Sequence, residues 1–79
     1  MEFLYGIYTQ YKGGPRRIKK ILARNIKQAL TDAEQILLEE NPSWKSLGIQ
    51  SVPDGFGGRQ LNLFMELGNG KTRRYAAWR

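Results

Sequence analysis

The sequence predicts an α+β fold: a five-stranded antiparallel sheet with one helix packed on one face, in the order strand, strand, helix, three strands. Three observations predict it. Only one stretch, residues 25–41, carries helical hydrophobic spacing. The segments around it are rich in aromatic and β-branched residues and are punctuated by Gly, Pro and Asn. The last two of these segments flank an Asn-Gly turn. At 79 residues the chain has the length of one domain, spanning 1–79.

Residues 3–11 (FLYGIYTQY) predict the first strand, and Lys12-Gly13-Gly14-Pro15 a turn. Residues 16–24 (RRIKKILAR) predict a strongly basic second strand, paired with the first as a hairpin. Ile18, Ile21 and Leu22 do not alternate cleanly, which a β-bulge explains. Asn25 is suited to cap a helix, with Gln28 three residues on as in a capping box. Ile26, Ala29, Leu30, Ala33, Ile36 and Leu37 then form one apolar stripe, and Asn41-Pro42 ends the helix. Its opposite face carries Asp32, Glu34, Glu39 and Glu40, four of the seven acids in the chain.

Residues 47–52 (LGIQSV) predict the third strand. The loop that follows, Pro53-Asp54-Gly55-Phe56-Gly57-Gly58, has Phe56 as its one bulky apolar side chain. Residues 59–67 (RQLNLFMEL) and 71–78 (KTRRYAAW) predict the last hairpin. A two-residue type I′ turn centred on Asn69-Gly70 would set Leu67 against Thr72, Met65 against Arg74, Leu63 against Ala76 and Leu61 against Trp78 on the inner face. Glu66 with Arg73, and Phe64 with Tyr75, would then share the outer face. Arg74 is the misfit in this register, and its head would have to reach water from the rim.

The chemistry on offer is binding, not catalysis. The chain has no Cys and no His, so thiolate chemistry, the usual metal ligands and the usual neutral-pH proton shuttle are missing. Its serines have no histidine to activate them, and no GxGxxG or Walker sequence is present. No cofactor, no metal site and no enzymatic activity are expected. The sequence shows neither a signal-peptide pattern nor an apolar run long enough to span a bilayer, so a cytoplasmic location is expected, with no membrane partner.

The formal charge of +6 favours acidic partners. Two features could meet them. One is the basic hairpin: Lys12, Arg16, Arg17, Lys19, Lys20 and Arg24. The blander reading is a charged edge strand that discourages aggregation. The other is the sheet face away from the helix, expected to show Phe64, Arg73 and Tyr75 beside Lys71 and Arg79. Aromatics interleaved with arginines stack bases and hold phosphates. They equally anchor protein interfaces, or simply pack across strands.

A family likeness accompanies these residues. The run Ile21-Leu22-Ala23-Arg24-Asn25-Ile26-Lys27-Gln28-Ala29-Leu30-Thr31-Asp32-Ala33 joins an apolar strand end, a polar cap and a Q-A helix start. Together with the strand Leu47 to Val52 and the terminal hairpin through Asn69-Gly70 to Trp78, it resembles small phage-encoded anti-CRISPR proteins that inhibit type I surveillance complexes. The resemblance implies binding to the protein and RNA subunits of a guide-RNA effector complex, with steric block of target DNA in a bacterial host cell. On chemistry, the candidate contact residues are Arg16, Arg17, Lys19, Lys20, Phe64, Arg73 and Tyr75. The alternative is direct binding of single-stranded nucleic acid by a small basic phage protein through its open sheet face.

Overall fold

Antiparallel pairing joins five strands into one sheet, and the helix covers one of its two faces. The computed structural model describes all 79 residues, Met1–Arg79. In chain order the elements are β1 (Phe3–Tyr11), β2 (Gly14–Ala23), α1 (Ile26–Glu40), β3 (Lys45–Pro53), β4 (Arg59–Glu66) and β5 (Thr72–Trp78). The strands lie in the order β2-β1-β5-β4-β3, so the first and last strands are central neighbours. The expected ββαβββ architecture is therefore present, with strand ends moved by two residues or fewer.

The helix forms where its cap and stripe predict. Asn25 has extended backbone, and its Oδ1 accepts from the Gln28 amide at 2.8 Å. Gln28 Oε1 reaches back to accept from the Arg24 N–H at 2.7 Å. At the other end, the backbone N–H and the Nδ2 of Asn41 both donate to the Leu37 carbonyl. Ala29, Leu30, Ala33 and Leu37 are buried, while Ile26 at the first turn is half exposed. Replacing Asn25 with alanine should lower stability by about 1 kcal/mol. Urea unfolding would show this as a lower midpoint at unchanged slope.

Alternation along the strands decides what meets the helix. Tyr5 and Ile7 of β1, Ile21 and Ala23 of β2, Leu63 and Met65 of β4, and Tyr75 and Ala77 of β5 form one core with the helix stripe. Two polar links fasten the helix to the edge strands. Lys19 of β2 pairs with Glu40 at 2.8 Å, and the Ser46 hydroxyl of β3 donates to Glu34. The β2 bulge lies where the sequence suggests: the register shifts opposite Ile7/Tyr8, and Ile18 is the residue left over.

The last hairpin differs from expectation by one residue. Leu67 N–H donates to the Lys71 carbonyl at 2.8 Å, and Gly70 N–H donates to the Leu67 carbonyl at 2.9 Å. The loop is thus three residues long, Gly68-Asn69-Gly70, with Gly70 at φ 83°. This is a turn closed by a left-handed glycine, not the two-residue Asn-Gly turn. Leu63 consequently pairs with Tyr75, Phe64 with Arg74, Met65 with Arg73 and Glu66 with Thr72. A slip of one residue exchanges the faces of a whole strand. Tyr75 and Arg73 therefore point to the helix side, and Arg74, Ala76 and Trp78 point away from it.

Candidate functional site: the open face of the sheet

The strand register assigns the face that the helix leaves uncovered. It carries Arg17, Lys20 and Leu22 from β2, and Leu4, Gly6, Tyr8 and Gln10 from β1. From β5 come Arg74, Ala76 and Trp78, from β4 Gln60, Asn62, Phe64 and Glu66, and from β3 Lys45, Gly48, Gln50 and Val52.

At its centre two aromatic rings stack. Tyr8 and Trp78 have centroids 4.9 Å apart with planes tilted by 44°. Gly6 makes the arrangement possible. It lies opposite Trp78, and a Cβ on it would come within 2.7 Å of Tyr8 Cε2 and 3.1 Å of Arg17 Cδ. With no side chain there, the Tyr8 ring lies down over the backbone, which is why Gly6 is buried on an otherwise open face. Trp78 keeps 45% of its surface exposed. A groove of about 220 Å³ runs beside the pair, between Leu4, Tyr8, Arg17, Lys20 and Trp78.

The helix side mixes charges, with Arg16, Lys19, Lys27 and Arg73 among its carboxylates, whereas the open face is almost purely cationic. Arg17, Lys20, Arg74 and Lys45 are exposed on the open face, and Glu66, register partner of Lys45, is the one acid there. Asp32, Glu34, Glu39 and Glu40 all sit on α1, across the sheet. The only ion pair, Lys19–Glu40, lies on the helix side. The cations of the open face are therefore neither buried by the fold nor neutralised by its own carboxylates.

Of the seven residues singled out from the sequence, Arg17, Lys20 and Phe64 are on this face, and four are not. Lys19 is held by Glu40. Arg16 lies over the Tyr11 ring at 4.7 Å, on the helix-side margin. Arg73 sits between two rings there, 5.7 Å from Tyr11 and 5.9 Å from Trp44. Tyr75 is 1% exposed in the core. Burial pushes its hydroxyl pKa above the ordinary tyrosine value, with the nearby Arg73 acting in the opposite direction. Of two further residues assigned to the face from sequence, Arg79 borders the 220 Å³ groove and holds its guanidinium over the Phe3 ring at 3.7 Å, whereas Lys71 lies elsewhere and closes the last loop.

Sequence reasoning missed Tyr8, Trp78 and Arg74. The signal for Arg74 was present: an arginine placed mid-strand on an apolar face is a contradiction, and a one-residue shift removes it. The role of Gly6 had no local signature, because it depends on which ring lies across it.

Fold and face together define a single-helix α+β sheet protein with an open, aromatic and cationic surface. No protein-family model matches the sequence, and searches of curated proteins and of solved structures find no similar chain.

Proposed function

We propose that the protein is a non-enzymatic binding module that holds single-stranded nucleic acid on its open sheet face. One observation carries the reading: the Tyr8–Trp78 stack, seated on Gly6, is flanked by unpaired Arg17, Lys20 and Arg74. Exposed ring faces stack on unpaired bases whatever their sequence. The cations beside them meet the phosphates that connect those bases. A duplex hides its base faces and offers only phosphates, so it should bind more weakly than a single strand.

The test is a titration of a fluorescent oligonucleotide at several salt concentrations. Four cations, Arg17, Lys20, Arg74 and Lys45, predict a log–log salt slope of about −3 for a single strand. Binding indifferent to salt, or equal for duplex and single strand, would remove the reading.

A second reading draws on a different observation. Leu4 and Leu22 are direct register partners on the same face and are 51% and 60% exposed. Aliphatic side chains are poor stacking platforms but good protein contacts, and the Arg16, Arg73, Tyr11 and Trp44 cluster at the margin adds typical interface residues. A surface with both characters suits a ribonucleoprotein. This supports the anti-CRISPR reading, in which the chain docks on a type I guide-RNA complex in the host cytoplasm and blocks target DNA. No helix is long and apolar enough to cross a membrane. Under this second reading the protein co-elutes with a preassembled complex and abolishes its target binding, while bare oligonucleotide binds weakly at every salt concentration.

A further inference from the structure

The seam between β4 and β5 is paired along only part of its length. Paired rungs between β4 and β5 run only from Glu66/Thr72 to Leu63/Tyr75. In an antiparallel ladder, rungs with mutual backbone hydrogen bonds recur at every second residue. Counting from the Leu67–Lys71 bond, such rungs fall at Met65/Arg73 and Leu63/Tyr75, and the one after them, Leu61/Ala77, is missing. Past that point β4 stays with β3, with Asn62 opposite Gln50, and β5 stays with β1, with Ala77 opposite Ile7. The two halves part and leave a notch of about 70 Å³ that opens on the uncovered face, with a second cavity of about 240 Å³ toward Ile26 and Leu61 that shares Gln60, Ala76 and Trp78 with it.

The notch is lined by the neutral amides of Gln10, Gln60 and Asn62, with Tyr8 and Trp78 as an aromatic wall and Arg74 at the rim. Asn62 is fully buried, which is unusual for an asparagine. Its Nδ2 donates to the Leu61 carbonyl at 2.9 Å, the group that the missing rung leaves without a strand partner. Its Oδ1 meets only Gln60 Nε2, at 3.5 Å, the outer limit for a hydrogen bond. Asn62 thus holds the amide of Gln60, and the acceptor left open to the notch is Gln60 Oε1.

This is the chemistry of a base edge. A cavity of about 150 Å³ holds a benzene ring, so this notch admits the edge of a heterocycle and not the whole ring. Side-chain amides pair with adenine through donor and acceptor together, at N7 and N6. No carboxylate lies in the notch to favour the cytosine amino group instead. Resting on the single-strand reading above, we infer that the β4–β5 notch is a base-reading subsite that selects adenine at one position of the bound strand. The neighbouring base stacks on the Trp78 and Tyr8 rings, and Arg74 takes the phosphate between the two.

The probes are an oligothymidine of about ten nucleotides and the same strand with one central adenine, a length within the usual single-strand site size. The adenine should raise affinity about tenfold. Gln60→Ala should remove that gain, so that the two probes bind the variant equally. Gln60→Glu should exchange the preference for one toward a central cytosine, because a carboxylate only accepts. Gln60 is partly exposed, so these variants keep the core intact. Equal affinity for the two probes, or an adenine gain that survives Gln60→Ala, overturns the inference while the sheet-face reading stands. Failure of both oligonucleotides to bind overturns the two together.

Discussion

Replacing Arg17, Lys20 and Arg74 together by alanine should weaken single-strand binding about a thousandfold and leave the fold intact. Hydrogen bonds to charged groups contribute about 1.5 kcal/mol or more each, so three lost phosphate contacts amount to roughly 4.5 kcal/mol. All three side chains are exposed, and none has an ion-pair partner. Their removal should therefore change stability by less than about 0.5 kcal/mol, with relief of mutual repulsion favouring the variant. The salt slope should fall from about −3 to about −1, since Lys45 alone remains. Weak binding with the original slope would mean that the phosphates are held elsewhere. A double substitution of Arg16 and Arg73 is the natural control, because both guanidinium groups lie over rings on the helix-side margin.

Tyr75→Ala should cost about 3–5 kcal/mol, the range for an aromatic removed from a packed core. Arg74→Ala, one residue away, should cost almost nothing in stability and should weaken binding instead. The contrast follows from the hairpin register. Tyr75 is 1% exposed and packs with Leu63, Met65 and the helix, whereas Arg74 pairs with Phe64 on the open face. In the register of a two-residue turn, Tyr75 would face outward and Arg74 would face the helix, and the two effects would change places. Urea unfolding followed by circular dichroism distinguishes the outcomes. For a domain of this size, a loss of 3–5 kcal/mol is a large fraction of the total stability.

Local patterns wrote most of the fold legibly. The α1 stripe, its Asn25 cap and the bulge in β2 all follow from neighbours a few residues apart. The last loop could not be read this way. Gly68-Asn69-Gly70 satisfies two turns: Asn-Gly at the centre of a two-residue loop, or a left-handed Gly70 closing a three-residue one. Both keep the strands paired, and they differ in which side of β5 meets the helix. Packing decides between them, because Tyr75 and Ala77 fill the space beneath α1 and Arg74 does not belong there. Arg73, Tyr75 and Phe64 share a face only in the register of a two-residue turn, whose Glu66–Arg73 and Phe64–Tyr75 pairs are favourable in themselves, so a shift of one residue moves two of the three to the other side. The Tyr8–Trp78 stack was less accessible still. It unites the first and last strands, which become neighbours only when the sheet is assembled.

The open face carries four cations and one acid, whereas the helix side carries the four α1 carboxylates among Arg16, Lys19, Lys27 and Arg73, so the molecule is an electric dipole with its positive end at the sheet. Its shortest dimension is 23 Å, well beyond a screening length of about 8 Å at physiological salt. The two sides therefore act on their surroundings separately, and the carboxylates do not mask the cations at a distance. Near a polyanion, torque turns the sheet forward before contact, so more encounters begin in the productive orientation. Once seated, each copy turns outward a back whose four α1 carboxylates are matched by Arg16, Lys19, Lys27 and Arg73, so a second strand finds no comparable cationic surface there.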